Sequence, residues 1–265
     1  MRLLLHLTTE NLHQQSIPVN YQYPLSAWIY HTIAEGNHEF ARFLHDTGFP
    51  GANKSYKLFT FSQLQFPPKG FKVEGDRLKL LAGECKLVLS FMVPEIMEHF
   101  ITGLFKGQSF SLGDTISRAY LKVAAVEALP SPAVSSFMKM KTISPVLVSM
   151  QENGCKTASY LEPGHAEYNR LLADNLIHKY TAAIQAGLIF PQVPNQEDEN
   201  ELRIKVLNTP RSWLILVKAG TSSQTKIKGY TFDFEINAPV ELLKTAYYAG
   251  LGEKNALGMG CLEMI

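Results

Sequence analysis

Apolar positions change spacing several times along the chain, and each change marks an element. Residues 2–8 (RLLLHLT) form a short apolar run bounded by Thr8 and Thr9, as a strand does. From Pro24 the interval lengthens: Leu25, Trp28, Ile29 and Ile33 recur at helical spacing, and Gly36 closes the helix. Asn37 is placed to cap a second helix carrying Phe40, Phe43 and Leu44, which ends before Gly48. After a loop with glycine and lysine, strands are predicted over 57–64, 77–81 and 84–92. Pro94 opens a third helix (Ile96, Met97, Phe100, Ile101, Leu104), and 114–128 returns as a strand.

That order approximates β-α-β-β-α-β, the ferredoxin-like arrangement. Pro130 and Pro132, with Ser131 between them, make a link. The outline then repeats. A strand region at 136–150 precedes a long helix from about 165 to 186, with Tyr168, Leu171, Leu172, Leu176, Tyr180 and Ile184 on one stripe. A solvated acidic loop (Gln196 to Glu201) leads to strands at 202–208, 212–218 and 225–237, a helix from Pro239, a glycine-rich loop and a closing strand. The expected fold class is therefore α+β, two tandem ferredoxin-like (RRM-like) domains over residues 1–129 and 133–265.

Along 225–237 the apolar side switches: Ile227 faces opposite to Lys226 and Lys228, yet Tyr230, Phe232, Phe234 and Ile236 share the lysines' parity. A bulge near Gly229 would do this, either as a plain sheet-edge kink or to aim the two lysines into a groove.

Composition narrows the class. The 265 residues are 46% hydrophobic and 18% charged with a net charge of +1, which suits a globular chain with a sizeable core and argues against a polybasic nucleic-acid coat. Cys85, Cys155 and Cys261 are widely spaced without a CxxC pair, so neither a disulfide framework nor a cysteine zinc site is expected. No H-E-x-x-H occurs and the histidines show no metal-ligand spacing, so no metal or other cofactor is expected. No apolar run approaches ~18 residues, and the N-terminus does not read as a secretory signal. A cytoplasmic protein with no membrane partner is the expectation.

Residues 250–260 read GLGEKNALGMG. Glycine at Gly250, Gly252, Gly258 and Gly260 permits positive φ and close backbone approach, and Lys254 adds a cation. The spacing fits neither a Walker A loop nor a Rossmann fingerprint. A structural turn and a phosphate-contacting loop both remain open on this pattern alone. The pattern resembles the signature loop of the repeat-associated (RAMP) RNA-binding proteins. Together with MRLLLHL, YQYPLSAWIYHTI, FARFLHD, YKLFTFS, FMVPEIMEHFITGLF and ISPVLV, it is most similar to the CRISPR-associated Cas6 endoribonucleases. The resemblance implies paired ferredoxin-like domains, metal-independent cleavage within CRISPR repeat RNA, and a product ending in a 2′,3′-cyclic phosphate.

Such chemistry needs a proton removed from the ribose 2′-hydroxyl, one delivered to the departing 5′-oxygen, and a cation for the phosphorane. The resemblance carries these roles onto Tyr30 in WIYHT, His45 in FLHD and Lys57 in YKLFTF, with Lys54 in the preceding loop as the rival lysine. Helical spacing gives the first two positions sense of their own. Tyr30 and His45 each follow a buried position by one residue, about 100° round the helix, and a helix C-terminus favours a protonated imidazole. His45 is expected as general acid and Tyr30 as the group that orients or deprotonates the 2′-hydroxyl; an exchange of these roles stays open. His31 is a decoy whose ring points away from Tyr30.

Phosphate binding needs clustered cations, not a positive total. Residues 203–254 hold eight basic against four acidic side chains, and 54–86 hold seven against three. Ordinary solvated strand faces would look the same. The expected RNA-contacting set is Gly250, Gly252, Lys254, Gly258, Gly260, Lys226 and Lys228, with precursor CRISPR RNA as partner. Interference-complex subunits and a second copy of the chain, in a homodimer, are further candidates. Two rival readings are a catalytically silent RAMP RNA-binding subunit and a module binding a small anionic ligand.

Overall fold

A computed structural model describes residues 1–9, 15–51, 54–151, 158–189 and 202–265; His13, Cys155 and the acidic loop at 196–201 lie outside the described residues. The chain opens with β1 (Arg2–Thr8), then α1 (Gln22–Gly36) and the short α2 (His38–Arg42), whose last turn widens into a π-helical turn over Phe43–Thr47. Asn37 caps α2 as expected: its side chain accepts the Phe40 amide at 3.0 Å. β2 (Phe59–Phe61), β3 (Glu84–Phe91), α3 (Pro94–Lys106), β4 (Ser109–Gly113) and β5 (Arg118–Leu129) follow. These strands form one antiparallel sheet in the order β2-β3-β1-β5-β4. Setting aside the extra edge strand β4, this is the ferredoxin-like order.

The second half repeats it with β6 (Phe137–Thr142), α4 (Tyr168–Gln185), β7 (Arg203–Val206), the hairpin β8 (Arg211–Val217) and β9 (Thr225–Thr231), β10 (Asp233–Asn237), α5 (Val240–Ala249) and β11 (Leu262–Met264). Its sheet runs β7-β10-β6-β11, again antiparallel, with the β8–β9 hairpin inserted as a separate ribbon. The fold is thus α+β with tandem ferredoxin-like sheets.

Each half has its own apolar interior. Leu5, Leu7, Ile29, Phe59, Phe91 and Phe100 are fully buried in the first, and Leu172, Leu176, Phe234, Ile236 and Leu243 in the second. Each such side chain contributes about 1.5–3 kcal/mol through removal from water.

Three expectations change. The strand expected over 57–64 is limited to β2, because Leu58 sits at φ 52 and breaks it from a two-residue strand at Ser55–Tyr56. The single strand at 225–237 is two strands in two sheets, divided at Phe232. No bulge lies at Gly229: the β8–β9 register runs unbroken from Arg211↔Thr231 to Val217↔Thr225. The apolar side changes there because Gly229 packs on Pro145 and Leu147, while Tyr230 forms a bridge with Val146.

Candidate active site

Where the two halves meet, hydroxyls tie the glycine-rich loop to the first half. Ser26 Oγ of α1 donates to the Ala256 carbonyl at 2.6 Å, and Thr60 Oγ1 of β2 donates to the Met259 carbonyl at 2.8 Å. Ser90 Oγ of β3 donates to the Tyr247 carbonyl at 3.1 Å, and the Arg2 guanidinium lies 4.2 Å above the Tyr247 ring. All four glycines of the loop adopt positive φ, from 69 to 89°. Gly258 shows why the loop requires glycine: a Cβ there would stand 2.3 Å from the Phe61 ring. The loop therefore closes tightly onto β2 and leaves a cleft of about 600 Å³ beside it.

Into this cleft come Tyr30, His45, Lys54 and Lys57 from the first half and Gly252 and Lys254 from the second. Tyr30 leaves α1 next to buried Ile29, so its ring is half-buried between two others. It meets Phe59 edge-on at 5.5 Å and His45 edge-on at 5.2 Å. Burial pushes its phenol well above the ordinary tyrosine value, so it is neutral across the working pH range.

His45 sits in the π-helical turn, a deformation often found at functional positions. Gly48, at φ 65°, ends the turn, and a Cβ on it would come within 3.0 Å of Lys57 Nζ and 2.7 Å of the Tyr56 carbonyl. Glycine there lets Lys57 reach across and donate to the His45 carbonyl at 2.7 Å. Desolvation pulls the Lys57 ammonium below the ordinary lysine value, with the Asp46 charge opposing. Asp46 also lies 2.8 Å from His45 Nδ1. An ionised carboxylate only accepts, so that contact holds the hydrogen on Nδ1 and leaves Nε2 as the nitrogen able to exchange a proton. Lys54 stands apart from this chain of contacts, its Nζ 5.8 Å from the Tyr56 ring centre.

The glycines differ in what they offer. Gly250, Gly258 and Gly260 spend their N–H groups on the carbonyls of Ala246, Asn255 and Pro145. Among the described residues Gly252 is the loop glycine that lines the cleft, next to exposed Lys254. Lys226 and Lys228 lie on β9 and do not line this cleft; Lys228 Nζ is 5.2 Å from the Tyr230 ring centre. His31 faces Glu35 at 4.0 Å and is likewise away from the cleft. Among the described residues no three His, Cys, Asp or Glu side chains form a metal-holding group, and no helix is long and apolar enough to cross a membrane.

Comparison with known proteins follows the same lines. A family model described as CRISPR associated protein Cas6, C-terminal, matches residues 129–264, and one described as CRISPR-associated protein Cas6, N-terminal, matches residues 16–118. The chain belongs to the Cas6 family of CRISPR-associated endoribonucleases. It is similar to CRISPR-associated endoribonuclease Cas6 1 of Methanocaldococcus jannaschii, with 28% identity over 264 residues, 98% of this chain and 91% of that one. Similarity to CRISPR-associated endoribonuclease Cas6 of Pyrococcus furiosus is 30% identity over 275 residues, 100% of this chain and 90% of that one. A solved structure described as a Cas6-related gene from Pyrococcus furiosus shares the fold, with a TM-score of 0.80 at 23% identity, covering 100% of this chain and 98% of that one.

Within this Cas6-family cleft, three side chains escape a reading of the sequence. Asp46 is adjacent to His45 and could have been found as the polar neighbour of a candidate acid. Asn175 and Lys179 line the cleft from α4. Their signal is that the buried face of α4 runs Tyr168, Leu172, Asn175, Leu176, Lys179, Ala182 and Ala183, not along Tyr180 and Ile184. A lysine on an apolar stripe is the clue. Lys179, 2% exposed, donates to the carbonyls of Gly250 and Gly252 at 2.6 Å each.

Proposed function

We propose that this Cas6-family endoribonuclease cleaves CRISPR repeat RNA through attack of a ribose 2′-hydroxyl on the adjacent phosphorus, leaving a 2′,3′-cyclic phosphate and a 5′-hydroxyl. Residues 1–129 supply the reacting side chains, and residues 133–265 supply the loop that holds the RNA. The reaction is drawn with side chains alone. As the O2′–P bond forms and the P–O5′ bond breaks, His45 Nε2 gives its proton to the departing 5′-oxygen. The Tyr30 phenol accepts a hydrogen bond from the 2′-hydroxyl and relays that proton to water, remaining neutral as its raised pKa requires. Lys57 places its ammonium beside the charge gathering on phosphorus, anchored by its bond to the His45 carbonyl. Lys254 and the Gly252 backbone hold the neighbouring phosphate, and Gly250, Gly258 and Gly260 shape the loop that presents them.

The observation that carries this reading is the shared cleft: Tyr30, His45 and Lys57 open onto the same space as Gly252 and Lys254. The test is gel analysis of host repeat RNA in excess EDTA, with and without a 2′-deoxy nucleotide just before the cut. Cleavage of the all-ribose RNA in EDTA, with the deoxy RNA bound but uncut, is expected. Cutting of the deoxy RNA, or complete loss in EDTA, would refute the mechanism.

A further inference from the structure

Asn175 and Lys179 are four residues apart on α4 and so share one helix face, which lines the cleft. Their situations differ. Lys179 has a structural task, since two of its hydrogens go to Gly250 and Gly252. Asn175 has none visible: it is 7% exposed, and its side-chain Oδ1 has no hydrogen-bond partner among the described residues. A buried amide oxygen without a donor is costly, and most native structures avoid it. At a cleft wall the missing donor is best supplied by whatever fills the cleft.

An asparagine amide pairs an acceptor and a donor in one plane, which matches the N6 amino group and N7 of adenine. Single-stranded RNA presents such edges when its bases are splayed and stacked on aromatic rings. Tyr23, 38% exposed and lining the same cleft, offers a ring for that stacking. We propose that Asn175 is a specificity-determining residue, reading an adenine next to the scissile linkage through its amide. This rests on the cleavage reading above and adds to it the base that the cleft selects. Lys179, one turn away, holds the loop that keeps the neighbouring phosphate in register with that base.

The experiment uses the full chain and repeat RNA made uncleavable by a 2′-deoxy nucleotide before the cut. Adenine on either side of the cut is replaced in turn by unsubstituted purine, which lacks the N6 amino group, or by uracil, the sugar before the cut staying 2′-deoxy throughout, and affinity is read by filter binding. Wild type should lose about 5- to 150-fold for one of these positions, the range expected of one good base contact. Asn175→Ala should bind the adenine and purine RNAs alike, with a thermal midpoint equal to or above that of wild type, because Oδ1 has no partner to lose. A wild type indifferent to the N6 group at both positions overturns the inference. So does a variant with a lowered midpoint and an intact preference, which would make Asn175 structural. The wild-type arm needs no variant, so misfolding of Asn175→Ala leaves the test standing. Failure of the wild type to cut the all-ribose RNA would instead strike the cleavage reading.

Discussion

Lys179→Met removes both bonds from the α4 lysine to the glycine loop while keeping a long apolar stem. Two carbonyls, Gly250 and Gly252, then lose their donor. A buried carbonyl left unpaired costs ~1–3 kcal/mol, so the two together cost ~2–6 kcal/mol. Part returns because a buried ammonium is itself unfavourable, and a net loss of ~2–4 kcal/mol at neutral pH is expected. The pH dependence gives a sharper signature. Burial lowers the Lys179 ammonium well below the ordinary value of 10.5, with Lys54 adding repulsion and Glu253 opposing it. Between that lowered value and 10.5 the unfolded chain binds the extra proton, so wild-type stability rises with pH in that window. A neutral amine still carries two hydrogens, one for each carbonyl, and the clasp survives deprotonation. Urea unfolding of both proteins as pH is raised should therefore show a gap that widens through the window. Equal midpoints at every pH, or a gap that narrows, would refute the buried clasp.

Two further outcomes test the reaction centre and its scaffold. His45→Ala should lower the single-turnover rate on repeat RNA by ~10²–10⁴ with little change in affinity, and an unchanged rate would remove it as the acid. Gly258→Ala places a methyl 2.3 Å from the Phe61 ring at a backbone φ of 76°, so it should lower both the unfolding midpoint and cleavage. An unaltered midpoint would show that the loop has room it is not expected to have.

The sequence alone was sufficient where one element carries its own signal. The apolar run of β1, the stripe of α1, the Asn37 cap and Pro94 at the start of α3 depend on neighbours only a few residues away and appear as read, whereas α1 begins at Gln22, two residues before the Pro24 expected to open it. The ferredoxin-like order followed from their succession. Tyr30, His45, Lys57 and the glycine loop were also legible, through spacing and resemblance, as candidates. Two short strands were not: Phe71–Glu74 is held by its pairing with Arg77–Leu80, the strand expected over 77–81, and Ser109–Gly113 by its pairing with β5, not by patterns of their own.

Only the tertiary structure decided what those candidates face. Residues 30, 45, 57 and 252 meet because Ser26 and Thr60 hydroxyls clamp the loop onto α1 and β2, contacts spanning some 200 positions of chain. Helical periodicity placed the stripe of α4 over several apolar residues. Which edge of it turned inward depended on the glycine carbonyls that needed Lys179, a demand arising in another segment altogether. Periodicity records how a residue sits on its own element; a partner distant in the chain leaves no mark on it.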